Sequence, residues 1–348
     1  MFNCLLREVQ YEVTVATIRD RVAQTAAKLV LEPIFEADLP PEQHGYRPGR
    51  DALSAVKQVH SLLNTGHTQV IDADLCAYFD TVPHSELLTS VARRVVDRHV
   101  LHLIKMWLET PVEEKDERGG TKRTTRNRDE KRGIPQGSPL SPLLSNVYMR
   151  RFVLGWKHLG YAERFAAQIV TYADDLVICC KRGADEALSA MRQIMSRLKL
   201  TVNEEKTHVC RVPEQYFNFL GYTFGRFYST KTGRAYLGTR PSKKSVQRML
   251  ATISECTDRR TTGRAAEEVV QDLNRKLQGW ANYFKLGPVS KAYQVLDRHT
   301  TQRLSRWLCI KHKVKGARHQ RYSAPYLQQT LGLIRLPGLT QRLPWANA

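Results

Sequence analysis

Gln168-Ile169-Val170-Thr171-Tyr172-Ala173-Asp174-Asp175-Leu176-Val177-Ile178-Cys179-Cys180 places two short apolar arms around a pair of acids. Ile169-Val170 and Leu176-Val177-Ile178 are β-prone, so Tyr172-Ala173-Asp174-Asp175 between them predicts a hairpin with carboxylates at its tip. Adjacent carboxylates repel and raise each other's pKa, which makes the pair costly unless a cation sits beside it. Magnesium is the natural partner: it prefers carboxylate oxygens, keeps several waters and completes its shell with substrate phosphates. In isolation, Asp174 and Asp175 read as readily as two turn residues.

A second acidic strand lies upstream. Gln69-Val70-Ile71-Asp72-Ala73-Asp74-Leu75 follows the turn formers Asn64-Thr65-Gly66, and its period of two puts Val70, Asp72 and Asp74 on one face. A third carboxylate from Asp74 would let two magnesium ions sit roughly 4 Å apart, one activating an attacking hydroxyl and the other stabilising a leaving oxygen. That is phosphoryl-transfer chemistry.

Outside these strands the pattern is mostly helical. Val15, Ile18, Val22, Ala26 and Leu29 predict an amphipathic helix ending near Pro33, and Asp51 caps a second with Leu53, Val56, His60 and Leu63 on one face. Residues 112–132 are almost wholly charged or small and predict a solvated, mobile loop. Residues 184–198 predict a helix, and residues 216–227 are aromatic and β-prone. From about Arg240 three amphipathic helices follow, with apolar stripes carried by residues such as Val246, Leu273, Trp280, Leu296 and Leu304.

The net charge of +20 is segregated. Residues 226–348 hold 24 Lys and Arg against 6 Asp and Glu, a net of +18, whereas the preceding residues hold 30 against 28. Mixed surface charge solubilises a protein without segregation, whereas a one-sided positive field suits a polyphosphate chain whose condensed counterions are released on binding. Lys243, Lys244, Arg275 and Lys276 are the candidate RNA contacts. No apolar run is long enough to span a bilayer, no export signal opens the chain, and the seven cysteines lack zinc or redox spacing. The expectation is a cytoplasmic protein without a membrane partner and with reduced thiols.

Several blocks together resemble one family. Tyr172-Ala173-Asp174-Asp175 resembles the catalytic box of reverse transcriptases, and Asp74-Leu75-Cys76-Ala77-Tyr78-Phe79-Asp80 resembles their first carboxylate box, in the expected order. The fourteen residues Gly133-Ile134-Pro135-Gln136-Gly137-Ser138-Pro139-Leu140-Ser141-Pro142-Leu143-Leu144-Ser145-Asn146 resemble the template-gripping block. The stretch from Leu198 to Thr207 resembles the next palm block, and Phe217-Asn218-Phe219-Leu220-Gly221-Tyr222 resembles the primer grip. His44-Gly45-Tyr46-Arg47-Pro48-Gly49-Arg50 is similar to a fingers block of group II intron proteins, and the stretch from Leu273 to Phe284 resembles their maturase domain.

The resemblance implies roles. Asp74, Asp174 and Asp175 would hold two Mg2+ ions, with the Leu75 carbonyl as a possible extra ligand; Asp72 falls outside the box and reads as a strand neighbour. Phe79 would exclude a ribose 2′-hydroxyl, or else be an ordinary core aromatic, and Lys206 would protonate leaving pyrophosphate. Gln136 and Gly137 would approach the template closely. Arg47 would contact triphosphate or RNA, or pair with an acid within the fingers.

The implied fold is α+β: a right-hand polymerase palm with partial fingers over residues 1–225, then an all-α, basic thumb and maturase region over residues 226–348. The implied function is that of a group II intron's RNA-directed DNA polymerase, a mobile-element nucleotidyltransferase. It would use an RNA template, a DNA primer and dNTPs, and would also bind the intron RNA and assist its splicing. Two departures leave alternatives open. The family's basic fingers hairpin is expected before Val15 and is not seen there, and no His-Asn-His nuclease follows the maturase block. The alternatives are a splicing cofactor with impaired polymerisation, or another prokaryotic retroelement reverse transcriptase.

Overall fold

The computed structural model describes residues 17–115, 121–229, 232–314 and 321–340. The expectation of a missing fingers hairpin before Val15 falls outside these residues. The chain divides into two compact units, residues 1–211 and 212–348.

The first unit opens with α1 (Ile18–Glu36) and α2 (Ala52–Asn64), the latter closed by a capping box in which Asp51 and Ser54 exchange hydrogen bonds. There follow β1 (Gln69–Asp74), α3 (Tyr78–Thr81), α4 (His84–Ala92), α5 (Arg98–Leu108), β2 (Val112–Lys115), β3 (Thr121–Thr124) and α6 (Arg126–Glu130). The unit is completed by α7 (Ser141–His158), α8 (Tyr161–Arg164), β4 (Ala167–Tyr172), β5 (Asp175–Cys180), α9 (Ala184–Arg197) and β6 (His208–Arg211). Its sheet is antiparallel with strand order β4-β5-β1-β6. The two central strands bury apolar side chains, Val70 and Ile71 from β1 and Val177, Ile178, Cys179 and Cys180 from β5, and α7 adds Leu143, Leu144, Tyr148, Phe152 and Trp156 to the core. Burial on both faces explains why β5 reads as a continuous apolar run rather than an alternating one.

Three local expectations are corrected. The helix predicted to stop near Pro33 runs through it to Glu36, and Pro33 lies inside. Phe35, almost wholly buried, and Leu31 anchor that last turn, so apolar burial offsets the missing proline N–H. The predicted stripe of α1 also faces the wrong way, since Ile18 is 81% and Leu29 66% exposed while Gln24, Leu31 and Phe35 are buried. The described parts of residues 112–132 are not a simple loop. β2 and β3 pair antiparallel from Val112↔Thr124 to Lys115↔Thr121, and α6 follows. High polarity reports solvation of side chains and says nothing against backbone pairing.

The second unit begins with a three-stranded antiparallel sheet, β7 (Phe217–Phe219), β8 (Tyr222–Tyr228) and β9 (Ala235–Pro241). Leu220 and Gly221, at φ 49° and 76°, turn β7 into β8 through the left-handed region that two-residue hairpins require. The unit boundary at 211/212 therefore precedes the compositional change, and the helical part begins only after β9. Helices α10 (Lys243–Cys256), α11 (Ala266–Tyr283) and α12 (Ser290–Lys311) pack around Ile253, Val269, Leu273, Leu277, Tyr293, Leu296, Leu304 and Trp307. The weakly periodic C-terminal stretch adds short helices at Ala324–Gln329 and Leu336–Thr340, with Leu327, Leu333 and Leu336 entering the same core.

Candidate active site

β4 and β5 form the expected hairpin. Tyr172 pairs with Asp175, leaving Ala173 and Asp174 as its two-residue turn, and Ala173 takes the left-handed region at φ 58°. Asp174 is exposed at this tip. On the other side of β5, the register runs from Gln69↔Cys180 to Asp74↔Asp175, so the last residues of β1 and the first of β5 face each other. Strand pairing thus brings Asp74, Asp174 and Asp175 to one end of the sheet from positions a hundred residues apart.

The electrostatics match that crowding. The Asp175 side chain reaches solvent, yet the protein packed around it and then the charges of Asp174, Asp72 and Asp74 push its carboxyl up to about 7, with Lys206 opposing. Asp72 is raised to about 6, chiefly by burial, and lies in register with His208 of β6 and Val177 of β5. Lys206 Nζ stands 3.2 Å from Asp74 Oδ2. Asn203 Nδ2 donates to the same oxygen at 3.1 Å, and the Asp74 amide donates to Thr207 Oγ1 at 3.2 Å. The backbone reinforces this link, with the Asn203 amide on the Asp74 carbonyl at 2.8 Å and the Cys76 amide on Thr201 O at 2.8 Å. Asn203 and Thr207 were not singled out from sequence. Their signal was present, because Lys206 was, and one short segment carries all three.

Among the described residues, no three His, Cys, Asp or Glu side chains are already gathered as a metal cluster. The donor set nevertheless fits a hard divalent cation: three carboxylates on adjoining strand ends, one of them raised by burial and then by its neighbours' charge, are what a dication would relieve. Reverse transcriptases generally use divalent metal ions.

The other candidates fall into two groups. Leu75 is buried and bridges Val202 across the strand, while Phe79 is half-buried, edge-on to Tyr78 with ring centroids 5.8 Å apart. Gln136 is half-buried and Gly137 exposed at φ 91°, in the loop that leads into α7. Arg47 lies elsewhere, buried among the residues before α2. Its Nε and Nη2 hold Glu36, with Nη2 to Glu36 Oε1 at 2.6 Å, and its Nη1 donates to Pro40 O and Gln43 O at 2.7 and 2.9 Å. With Nη2 also 3.4 Å from Leu39 O, every guanidinium proton is engaged inside the protein. The acid-pairing role is therefore the one the structure gives Arg47.

In the second unit, Lys243 and Lys244 are exposed in the first turn of α10, and Arg275 is exposed on α11. Lys276 differs. Its ammonium lies 2.9 Å from Cys256 Sγ and 3.4 Å from Asp272 Oδ2, and Arg264 Nη1 reaches the same carboxylate at 3.6 Å. Asp272 thus pairs with both Lys276 and Arg264.

A family profile described as reverse transcriptase (RNA-dependent DNA polymerase) matches residues 9–224, and one described as the group II intron maturase-specific domain matches residues 246–326. The chain belongs to the reverse transcriptase family and carries a group II intron maturase domain, the combination of an intron-encoded reverse transcriptase and maturase. Protein YkfC of Escherichia coli (strain K12) is 30% identical over 66% of this chain and 67% of its own length. Group II intron-encoded protein LtrA of Lactococcus lactis subsp. cremoris is 28% identical over 60% of this chain, and the chain spans 43% of LtrA. The putative COX1/OXI3 intron 1 protein of Saccharomyces cerevisiae is 24% identical over 60% of this chain and 30% of its own length. Among solved structures, a telomerase from Candida albicans in complex with a telomeric RNA fragment aligns over 90% of this chain and 59% of that one, at 11% identity and a TM-score of 0.45. Among the described residues, no helix is long and apolar enough to cross a membrane.

Proposed function

We propose that this chain is the RNA-directed DNA polymerase of a group II intron, extending a DNA primer on an RNA template, and that its basic second unit binds the intron RNA. The observation that carries the reading is the β1–β5 register, which sets Asp74 opposite Asp175 beside the Asp174 turn. Asp74, Asp174 and Asp175 would hold two magnesium ions. When bound, the ions would supply Lewis-acid activation of the primer hydroxyl and charge stabilisation at the leaving oxygen. Asn203 and Thr207 hold Asp74 in place through its carboxylate and amide. Lys206, already on Asp74 at 3.2 Å, carries the proton that leaving pyrophosphate would take. Phe79 would bar a ribose 2′-hydroxyl, and Gln136 and Gly137 would lie along the template. The basic field of residues 226–348 favours an RNA partner, with Lys243, Lys244 and Arg275 as surface contacts.

Primer extension on an RNA template tests the reading. Asp174→Asn and Asp74→Asn are expected to abolish magnesium-dependent synthesis while circular dichroism and RNA affinity stay at the wild-type level. Full activity in the Asp174→Asn/Asp175→Asn double variant would end the polymerase proposal. An inactive wild-type chain that still binds intron RNA would favour the splicing-cofactor alternative.

A further inference from the structure

We infer that Asn146 and the segment from Glu42 to Arg47 form a buckle that sets the position of the Ala173-Asp174 turn, with Asn146 as a positioning residue. The inference rests on the polymerase reading only for the consequence of that positioning, not for the positioning itself.

The buckle begins at the sheet edge. Among the described residues no strand lies on the outer side of β4, and residues 42–44 occupy that side: the Thr171 amide donates to Glu42 O and the His44 amide to Thr171 O, both at 2.9 Å. Gln43 bridges Thr171 in parallel sense, so the segment continues the sheet directly beside the turn. Gly45 follows at the point of closest approach. A Cβ there would lie 2.4 Å from the Ala173 amide nitrogen and 3.1 Å from the Tyr172 carbonyl carbon, so the backbone of Gly45 is seated against the backbone of the turn. Any retreat of Gly45 would leave Ala173, itself at a strained φ of 58°, without its support.

Asn146, from the middle of α7, fixes Gly45. Its Nδ2 donates to Gly45 O at 2.7 Å, and its own carbonyl accepts from Gln43 Nε2 at 3.1 Å. Both side chains are almost wholly buried, Asn146 at 4% exposure and Gln43 at none, so neither bond is exchanged cheaply for water. The far end is tied down independently. His44 is held by Ser54 Oγ at 2.9 Å and Gln58 Oε1 at 2.6 Å on α2, and Arg47 gathers Glu36, Leu39, Pro40 and Gln43. The Arg47 guanidinium is thus spent on shaping the loop that delivers Gly45. A turn of Ala173 and Asp174 has little apolar surface with which to hold itself, and this buckle supplies rigid backbone contact in its place.

Two full-length variants test the inference from opposite sides. Asn146→Asp keeps the side-chain size but replaces the donor facing Gly45 O with an acceptor, and Gly45→Ala adds the methyl group that has no room. Hydrogen exchange read by mass spectrometry should show faster exchange in peptides covering residues 170–175 in both, with the peptides of α9 unchanged. Primer extension should fall about 10²-fold in kcat, the cost of an ångström-scale misplacement, with KM for template–primer and RNA affinity retained. Unchanged exchange at residues 170–175 in either folded variant would overturn the inference, whatever the activity does. Faster exchange there in a chain whose wild-type form makes no DNA would support the buckle and refute only the polymerase reading.

Discussion

Asp175 and Asp72 carry the acidic end of the sheet at an energetic cost that pH should expose. Their folded-state carboxyls are raised to about 7 and about 6 from an ordinary value of 3.8. A raised acid contributes stability that is fully present below its unfolded value and is lost as pH climbs through the folded one. In the metal-free protein, stability from these two groups therefore declines between about pH 4 and about pH 7, within the window set by those shifts. Asp175→Asn removes one of the crowded charges, so with a chelator present it should melt higher than wild type at neutral to alkaline pH, the difference shrinking toward pH 4. Thermal melts over a pH series check this, and an Asp175→Asn protein no more stable at the alkaline end would refute the crowding. The Asp74 carboxylate is met differently, by the Lys206 ammonium and the Asn203 amide, which shows how one strand can carry two acids of unlike surroundings.

Helix α11 shows how an element organises chain that has no strong periodicity of its own. Asn274 donates through Nδ2 to Gly332 O at 2.8 Å and accepts from the Ile334 amide at 2.9 Å, a two-point clamp on the C-terminal stretch. Nearby, the Leu336 amide donates to Asp297 Oδ1 at 3.1 Å, and these bonds steer Leu333 and Leu336 into the helical core. Asn274→Ala should cost about 1–3 kcal/mol, because it leaves a half-buried amide without its acceptor. Urea unfolding monitored by tryptophan fluorescence measures the loss, and exchange should rise first at residues 331–336. A variant as stable as wild type would mean that the apolar contacts alone hold the stretch.

Charge is a property of the whole molecule, and its segregation belongs to the sequence as much as to the fold. A protein comprising residues 212–348, the second compact unit, should bind structured RNA with an affinity that falls steeply as salt rises. Arg275→Ala should lessen the slope of log affinity against log salt by about 1, the mark of one phosphate contact. Lys276→Ala should change that slope less and stability more, because its ammonium is engaged by Asp272 and Cys256. Filter binding at several salt concentrations distinguishes the two, and a flat salt response would show that the positive surface serves solvation only.

The acids were legible because chemistry constrains residue type locally. An Asp pair between β-prone arms announces itself, as does Asp74 at a strand's end, and the long block from Gly133 to Asn146 leaves little room for chance. The segregated charge was legible for the same reason, since counting needs no geometry. Pairings between distant segments were not. Nothing in the order of residues tells that Asn146 reaches Gly45, that Arg47 spends all its donors on Glu36 and nearby carbonyls, or that Lys276 on α11 reaches Cys256 at the end of α10. The apolar stripe of α1 misled for a related reason: helical periodicity fixes which residues share a face, but only the packing partner decides whether that face is covered. Residue order alone shows which groups could do phosphoryl chemistry and where the positive charge lies. Tertiary structure alone decided which carboxylates face one another and what holds them there, because side-chain reach and strand register are set by contacts between residues far apart in the chain.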